Sequence, residues 1–292
     1  MVMREQFLKI IKTHPALKES AKLLVNGAQR SYVAAGRAVG VIDFPVPAYS
    51  SMKKTSSATI RHYYVSGIAC SLPIATMALH QGVRLREPIQ VLDFGCGVGR
   101  QLLHLTRQFP QPKYFACDVD STLIEFVQRN YPSVSAHVTR FDPPLPFDSG
   151  SMDMIYSVST LSHINPQHQK VWLRELCRIT KPGGYCFLTT EGWTALGMMT
   201  ALGSPGKAAA ELKKNGIYYE EYDFFAAEVK RKNVSAKVNL LRGINQSYGS
   251  TIMTPEFIRE TWPAAGFEVL DVIEGIVDAR QDLIILRRSE PV

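Results

Sequence analysis

Three glycines at alternate positions form the part of this chain best suited to bind a ligand. Gly95, Gly97 and Gly99 follow a short apolar run, Ile89 to Phe94, which predicts a buried strand. Glycine has no Cβ, so backbone N–H groups in such a turn can approach a bound molecule closely at the end of a parallel strand. Apolar residues then recur at helical spacing up to Phe109. The order of strand, glycine turn and helix is typical of a nucleotide-type cofactor site.

Two carboxylates near the glycines narrow the class of ligand. The spacing is G-x-G-x-G, whereas a dinucleotide-binding turn has G-x-G-x-x-G. Asp93, two residues before the first glycine, would repel a pyrophosphate but suits a ligand that carries a sulfonium and an ammonium. Asp118 ends the next apolar run, about 20 residues after the last glycine, where an acid reaches ribose hydroxyls. The alternative for Asp118 is a helix cap, a role that Asp120 fits better.

These residues resemble the glycine-rich turn of class I S-adenosylmethionine-dependent methyltransferases. Further segments resemble the later strands and loops of that family, including a Lys-Pro-Gly-Gly sequence between a helix and a strand. In chain order they are residues 138–147, 152–158, 181–184, 267–276 and 281–286. The resemblance covers about residues 88–195 and 255–288. It is closest in detail to a bacterial subgroup associated with glycan or secondary-metabolite methylation.

The resemblance implies an α/β fold with a Rossmann-like seven-stranded sheet, parallel except for its antiparallel last strand and flanked by helices. The expected methyltransferase core is residues 88–196 and 255–292. Residues 1–87 are expected to form a helical N-terminal extension or cap. Residues 197–254 are expected to be an insertion before strand six that forms an acceptor-side lid.

The implied cofactor is S-adenosyl-L-methionine, with S-adenosyl-L-homocysteine as product and no metal. Asp142 is expected to accept a hydrogen bond from the adenine amino group, with Phe141 near the ring. The full set of expected cofactor-binding residues is Asp93, Gly95, Cys96, Gly97, Gly99, Asp118, Val119, Phe141, Asp142 and Ser157.

Three polar residues at predicted strand ends are candidates for catalysis. A base is needed only for a hydroxyl or a protonated amine acceptor, and His163, just after the fourth strand, titrates near neutral pH. Glu191 follows the fifth strand, where we expect a histidine in the resembled subgroup. Asp282 begins the antiparallel strand. The alternatives are a helix-start or positioning role for His163 and a turn-stabilising or acceptor-pocket role for Asp282.

Tyrosines outside the expected core are candidates for acceptor binding. Tyr63 and Tyr64 belong to the N-terminal extension, and Tyr218 and Tyr219 begin an aromatic cluster in the insertion. Insertions at the strand C-termini of an open α/β sheet usually shape the ligand pocket. The alternative for this cluster, which continues with Tyr222, Phe224 and Phe225, is the insertion's own small core.

Charge and composition limit the classes of partner that this protein is expected to have. The net charge is +7, and residues 1–90 alone hold 12 Lys or Arg against 4 Asp or Glu. This excess of positive charge has two interpretations. It could be a solvated helical face, or it could attract an anionic substrate or an acidic membrane surface. No apolar run approaches the roughly 18 residues of a membrane span. The five cysteines lack metal-ligand spacing, and with no signal-peptide core we expect a cytoplasmic protein.

The sequence therefore predicts an S-adenosylmethionine-dependent methyltransferase that modifies a small-molecule or glycan acceptor, possibly anionic, at oxygen. The alternatives are an RNA or protein methyltransferase and a non-catalytic S-adenosylmethionine-binding protein. The basic N-terminal region slightly favours a nucleic-acid acceptor, but the chain has no recognisable RNA-binding module, so we expect no nucleic acid. The glycines, Asp118 and the polar strand ends argue against a non-catalytic role.

Overall fold

The computed structural model describes residues 15–55, 59–201, 206–221 and 248–290. Its internal contacts divide the chain into two units, Met1–Tyr64 and Val65–Val292. In the described parts, no helix is both long enough and apolar enough to cross a membrane.

The N-terminal unit is helical where it is described. It contains α1 (Pro15–Ala38), α2 (Tyr49–Lys54) and the first residues of α3 (Ile60–His80), which continues into the larger unit. Phe44 contacts two aromatic rings on α3, with centroids 6.5 Å from Tyr63 and 4.7 Å from Tyr64. These contacts join the loop before α2 to the start of α3.

The larger unit is built on one mixed sheet. Its strands are β1 (Gln90–Phe94), β2 (Lys113–Asp118), β3 (Val134–Val138), β4 (Met152–Ser157), β5 (Thr180–Glu191), β6 (Ile217–Glu221), β7 (Gly249–Met253), β8 (Phe267–Val277) and β9 (Gln281–Arg288). Strands β3, β2, β1, β4 and β5 are parallel neighbours in that order. Strand β9 lies antiparallel to β5, and β8 lies antiparallel to β9. This is the predicted Rossmann-like sheet with its antiparallel last strand.

The sheet has nine strands instead of the seven predicted. The two additional strands, β6 and β7, pair antiparallel within the insertion, and this pair of strands is called the inserted hairpin. The hairpin joins the main sheet where Glu191 at the end of β5 pairs with Ile252 of β7. The prediction missed the hairpin because it depends on pairing between segments that are distant in the sequence.

Helices cover the sheet. They are α4 (Leu102–Gln108), α5 (Ser121–Asn130), α6 (Pro166–Ile179), α7 (Trp193–Ala201), α8 (Gly206–Asn215) and α9 (Pro255–Thr261), with short 3-10 turns at Leu161–His163 and Trp262–Ala265. Asp120 caps α5 by accepting a hydrogen bond from the Thr122 N–H, as the sequence predicts. Asn165 and Thr254 cap α6 and α9 in the same way.

The main core lies between α6 and one face of the sheet. Trp172 of α6 packs on Phe94 of β1 with ring centroids 4.9 Å apart, and Leu176 of α6 is buried in the same cluster. Burial of such side chains contributes roughly 1.5–3 kcal/mol each. This packing fixes the C-terminal edge of the parallel strands, where ligands bind in open α/β sheets.

The Lys-Pro-Gly-Gly segment differs from its prediction. It was expected to separate a helix from a strand. Instead α6 ends at Ile179 and β5 begins at Thr180, which pairs with Met152 of β4. The β4–β5 register shifts between Met152 and Met154, so the segment is an irregularity inside β5.

Candidate active site

The glycine turn follows β1 and has a backbone that only glycine adopts easily. Gly95, Gly97 and Gly99 have φ of +77°, +55° and +72°. A Cβ on Gly95 would collide with Oγ1 of Thr160, and a Cβ on Gly99 would lie 3.1 Å from Cε2 of Tyr131. The turn therefore packs closely against its neighbours and exposes no side chain of its own.

Asp118 faces this turn. One carboxylate oxygen accepts a hydrogen bond from the Gly97 N–H at 2.9 Å, and the other accepts one from the Asp120 N–H at 2.9 Å. Burial raises the pKa of Asp118, and these backbone hydrogen bonds oppose the rise. Each carboxylate oxygen keeps a further lone pair that can accept from a hydroxyl. Val119, beside Asp118, is partly buried at the same strand end.

Asp93 lies buried on β1 and bonds to its neighbour on β4. The Tyr156 hydroxyl donates to its carboxylate at 3.0 Å. Burial raises the pKa of Asp93 to about 8, although the hydrogen bond from Tyr156 opposes the rise. At neutral pH this carboxyl is therefore largely protonated, and a cation placed beside it would favour its ionisation.

Two other residues predicted to bind cofactor are engaged by the scaffold. The Ser157 hydroxyl donates to the Phe94 carbonyl at 2.7 Å and so ties β4 to the end of β1. Burial raises the pKa of the Cys96 thiol well above its ordinary value, so this thiol is not a nucleophile at neutral pH.

Phe141 and Asp142 follow β3 beside a residue that the sequence analysis missed. Oδ1 of Asp142 lies 3.5 Å from Nε2 of His168, and the rings of Phe141 and His168 are 5.4 Å apart. His168 is in the first turn of α6, where its Nδ1 lies 3.2 Å from Oδ1 of the capping residue Asn165. The sequence signal for this position is the Asn165-Pro166 helix start.

A triangle of hydrogen bonds joins the ends of β4, β5 and β9. The Ser159 N–H donates to Oγ1 of Thr189 at 2.8 Å, Thr189 donates to Oε1 of Gln281 at 2.7 Å, and Gln281 donates to the Ser159 hydroxyl at 2.7 Å. Ser159 has φ of +62°, an uncommon conformation for a residue with a Cβ. Thr189 and Gln281 were not predicted, because their contact follows from a strand register that the sequence does not display.

His163 ends the 3-10 turn after β4, beside the inserted hairpin. Its Nδ1 lies 3.2 Å from the Gly249 carbonyl oxygen, and its ring stacks on Tyr248 with centroids 5.3 Å apart. Burial lowers the pKa of His163, while the hydrogen bond to Gly249 and the charge of Glu191 oppose the decrease. The neutral imidazole is therefore favoured at neutral pH.

Glu191 lies within electrostatic range of His163. Its side chain is 7% exposed and pairs with the half-exposed Arg280 at 2.6 Å. The charge of Arg280 acts on His163 in the opposite sense to that of Glu191 and lowers its pKa. The structure thus brings two predicted catalytic residues together and adds an arginine that was not predicted.

Asp282 faces the other side of the sheet. Glu191 pairs with Gln281 and Thr190 pairs with Asp282, so alternation along the strands separates Asp282 from Glu191. The Asp282 carboxylate accepts a hydrogen bond from the Gly275 N–H at 2.8 Å, and burial raises its pKa to about 6. The structure does not bring Asp282 together with the other two candidates.

The predicted acceptor-binding tyrosines lie in separate places. Tyr63 is fully buried and Tyr64 is partly buried, and both belong to the N-terminal unit. Tyr218 of β6 packs against a small cluster of Leu196, Ala208, Leu212 and Ile252. Tyr219 lies against Gly249 of β7. Tyr222, Phe224 and Phe225 lie outside the described residues.

The contact of Tyr218 corresponds to the alternative of a small core within the insertion.

As for metals, the described ranges contain no cluster of three or more His, Cys, Asp or Glu side chains that could hold an ion.

Comparison with known proteins identifies the domain. Residues 91–184 match the family model described as a methyltransferase domain. A tRNA N(3)-methylcytidine methyltransferase, Mettl2, of Drosophila melanogaster is 33% identical over 115 residues, which are 36% of this chain and 35% of that protein. A fatty-acid O-methyltransferase of Mycolicibacterium smegmatis is 34% identical over 106 residues, 36% of this chain and 38% of that protein. The chain thus spans little more than a third of either relative.

Solved structures share the fold over a longer region. The 1,6-didemethyltoxoflavin-N1-methyltransferase of Burkholderia thailandensis, determined with S-adenosylhomocysteine bound, covers 85% of this chain and 94% of its own at a TM-score of 0.51 and 15% identity. An S-adenosylmethionine-dependent methyltransferase of Methanosarcina mazei covers 70% and 94% at a TM-score of 0.50 and 17% identity. Residues 91–184 thus match a methyltransferase domain, and the chain shares the fold of S-adenosylmethionine-dependent methyltransferases over this longer region.

Proposed function

We propose that this protein transfers a methyl group from S-adenosylmethionine to a hydroxyl of a small-molecule or glycan acceptor, with His163 as the proton acceptor. When bound, S-adenosylmethionine supplies an electrophilic methyl group on its sulfonium. The observation that carries the proposal is the setting of His163 at the strand edge. Nδ1 of its ring lies within hydrogen-bond distance of the Gly249 carbonyl oxygen, and the Glu191 carboxylate lies within electrostatic range.

The residues beside the glycine turn fit this methyl donor. The turn exposes no side chain, so a ligand can approach its backbone closely, and Asp118 accepts a hydrogen bond from the Gly97 N–H. Asp118 would hold the ribose hydroxyls, while Asp93 offers a carboxyl whose ionisation a cationic ligand favours. Phe141 and Asp142 would bind on the adenine side. A phosphate-bearing cofactor fits less well, because the carboxylate of Asp118 lies at the turn.

Proton acceptance by His163 favours an oxygen acceptor. An acceptor nitrogen with an available lone pair needs no base, whereas a hydroxyl must lose its proton as it is methylated. In the neutral imidazole, a hydrogen on Nδ1 directed at the Gly249 carbonyl leaves the basic lone pair on Nε2. Glu191 would stabilise the imidazolium formed, and Arg280 holds Glu191 in place.

The size of the acceptor is proposed from the burial of these groups. Glu191 is buried and His163 is partly buried, so a group that contacts them must reach below the protein surface at the strand edge. A hydroxyl on a sugar or a small metabolite meets this condition. The similarity to a fatty-acid O-methyltransferase supports an oxygen acceptor over a shared third of the chain.

A second candidate function is tRNA methylation. The similarity to a tRNA N(3)-methylcytidine methyltransferase favours it, as does the basic composition of residues 1–90. The two candidates differ in salt dependence, because a polynucleotide acceptor releases counterions when it binds. Affinity for a mixed tRNA preparation that falls about a thousandfold between 50 and 200 mM salt would favour RNA. Weak binding that is insensitive to salt would favour a small acceptor.

The cofactor part of the proposal is tested by calorimetry on the full chain. We expect S-adenosylmethionine and S-adenosylhomocysteine to bind with one-to-one stoichiometry, and NAD to give no heat of binding. Binding of NAD in place of both sulfur-containing ligands would contradict the proposal. Mass-shift screening of hydroxyl-bearing sugars and natural products then identifies an acceptor.

The catalytic part is tested with His163→Ala once an acceptor is found. Loss of a general base lowers turnover by about 10²-fold or more. Affinity for S-adenosylhomocysteine should stay unchanged, because His163 belongs to the acceptor side. Replacement of His168 by Ala is the matched control, since that histidine should affect cofactor affinity instead of turnover. Full turnover in His163→Ala would remove His163 from the mechanism.

A further inference from the structure

The inserted hairpin is attached directly to the turn that carries His163. The Thr251 hydroxyl donates to the Ile164 carbonyl at 2.8 Å, and Ile164 forms an antiparallel bridge with Tyr248. The Gly249 carbonyl lies 3.2 Å from Nδ1 of His163. Contacts from Tyr248, Gly249 and Thr251 thus join the start of β7 to the residues around this histidine.

These contacts determine the chemistry of the imidazole. A carbonyl oxygen only accepts hydrogen bonds, so the neutral ring carries its hydrogen on Nδ1 and its lone pair on Nε2. Tyr248 stacks on the ring with an interplanar angle of 29°, which holds the ring plane and shields it from water. Burial lowers the pKa of His163, which is consistent with such shielding.

Gly249 is required for the hairpin to reach this position. A Cβ at Gly249 would collide with the Glu220 carbonyl and lie 2.7 Å from Cε2 of Tyr219. Glu221 pairs with Gly249 in the β6–β7 ladder, so this close approach occurs where the hairpin meets His163. The small residue therefore allows β6 to support the carbonyl that faces the imidazole.

We propose that Tyr248 and Gly249 are positioning residues for His163, so that the inserted hairpin sets which ring nitrogen is basic. This inference rests on the proposed function of His163 as the proton acceptor. It gives the insertion a defined role: it orients the proton acceptor, beyond any role in covering the acceptor. Thr251 secures the hairpin to the same turn.

The first test needs no acceptor and no variant of the hairpin. Nitrogen-15 histidine NMR on the full chain with S-adenosylhomocysteine bound reports the tautomer and pKa of each imidazole, and His163→Asn assigns the signal. We expect hydrogen on Nδ1 of the neutral His163 ring and a pKa below the ordinary value of about 6.5. Hydrogen on Nε2 of the neutral ring would overturn the inference.

The second test compares Tyr248→Ala with Tyr248→Phe. Loss of the ring in the alanine variant should raise the pKa of His163 toward its ordinary value and give a mixture of tautomers. The phenylalanine variant keeps the ring, and should keep the wild-type tautomer and pKa. Should Tyr248→Ala fail to fold, Thr251→Val against Thr251→Ser repeats the comparison at the hairpin anchor. An unchanged imidazole in a folded Tyr248→Ala or Thr251→Val would overturn the inference.

A kinetic measurement separates positioning from structure. We expect Tyr248→Ala to lower kcat about tenfold and to shift the acidic limb of the kcat–pH profile upward, with unchanged affinity for S-adenosylhomocysteine. This inference and the proposed function fail separately. Full turnover in His163→Ala would contradict the proposed function but would not change the tautomer measured by NMR in the wild type. Hydrogen on Nε2 of the neutral ring would contradict only the role of the hairpin.

Discussion

The cofactor side and the acceptor side of this site are built in different ways. On the cofactor side, Gly97 and Asp118 are 21 positions apart, and their contact uses a backbone N–H. Gly97 lies in the turn after β1, and Asp118 ends the neighbouring strand β2. On the acceptor side, His163 and Gly249 are 86 positions apart, and Glu191 and Arg280 are 89 apart. The first side depends on the conformation of one turn, whereas the second depends on four segments brought together by the sheet and the insertion.

This difference predicts how each side responds to mutation. Changes beside the glycine turn should alter cofactor affinity and leave the acceptor chemistry intact. Changes around His163 should alter turnover and the protonation of the imidazole, and leave cofactor affinity intact. Substitutions that affect both properties equally would mean that the two sides are a single unit.

Asp118→Ala should have the largest effect on the cofactor side. Hydrogen bonds to a charged group contribute about 1.5–3 kcal/mol each, so loss of this carboxylate should weaken S-adenosylmethionine binding about 100-fold. Titration calorimetry measures the change. Asp120→Ala is the matched control, since its side chain caps α5 and its loss should cost about 1 kcal/mol of stability with little change in affinity. Equal affinities of wild type and Asp118→Ala would contradict the assignment.

The Asp282→Asn variant tests whether Asp282 acts independently of His163 and Glu191. The pKa of Asp282 is raised to about 6 from an ordinary 3.8, so the folded chain keeps a proton that the unfolded chain loses. The free energy of unfolding should therefore fall as pH rises from about 4 to about 6. Asp282→Asn should remove this decrease and raise stability at pH 8 by about 3 kcal/mol, measured by urea denaturation. A larger loss of turnover than in His163→Ala would assign proton acceptance to Asp282 instead.

Asp93 links cofactor binding to pH. Because burial raises its pKa to about 8, a cationic ligand that favours the carboxylate should release a proton from it on binding. Affinity for S-adenosylmethionine should then increase about tenfold per pH unit up to about pH 8. Calorimetry in two buffers of different ionisation enthalpy measures the released proton, and Asp93→Asn should abolish the release. Proton uptake on binding would contradict the claim that the ligand favours ionisation of Asp93. The same proton release in Asp93→Asn would also contradict it.

The turn between β8 and β9 should give the smallest effect. Asp278 and Ala279 both have φ of +52°, and the Arg280 N–H donates to the Val277 carbonyl at 3.1 Å. Two positive φ values define a type I′ turn, in which alanine is strained. Ala279→Gly should raise the free energy of unfolding by about 1 kcal/mol, measured by denaturation. A decrease would show that the turn does not hold alanine in a left-handed conformation.

The cofactor side could be predicted from the sequence because its signals are contiguous. The glycine spacing, the apolar strand before it and the acid at the end of β2 lie within one short stretch. The parallel core of the sheet was predicted from the resemblance to class I S-adenosylmethionine-dependent methyltransferases. Asp120 was also predicted correctly, since a cap acts on residues next to it in the chain.

The acceptor side could be predicted only in part. Glu191 and Asp282 both lie at strand ends on one edge, but a register that pairs Glu191 with Gln281 places Asp282 on the opposite face. That parity cannot be read from either strand alone. The hairpin and its contact with His163 also depend on long-range pairing. The triangle of Ser159, Thr189 and Gln281 was missed for the same reason.

The most direct test of the two-sided site is a crystal structure of the full chain with S-adenosylhomocysteine bound. We expect both ribose hydroxyls within hydrogen-bond distance of the Asp118 carboxylate, the glycine turn against the ligand, and the sulfur open toward the edge that carries His163. A nucleoside bound elsewhere, or an Asp118 side chain directed away from the ribose, would contradict the account.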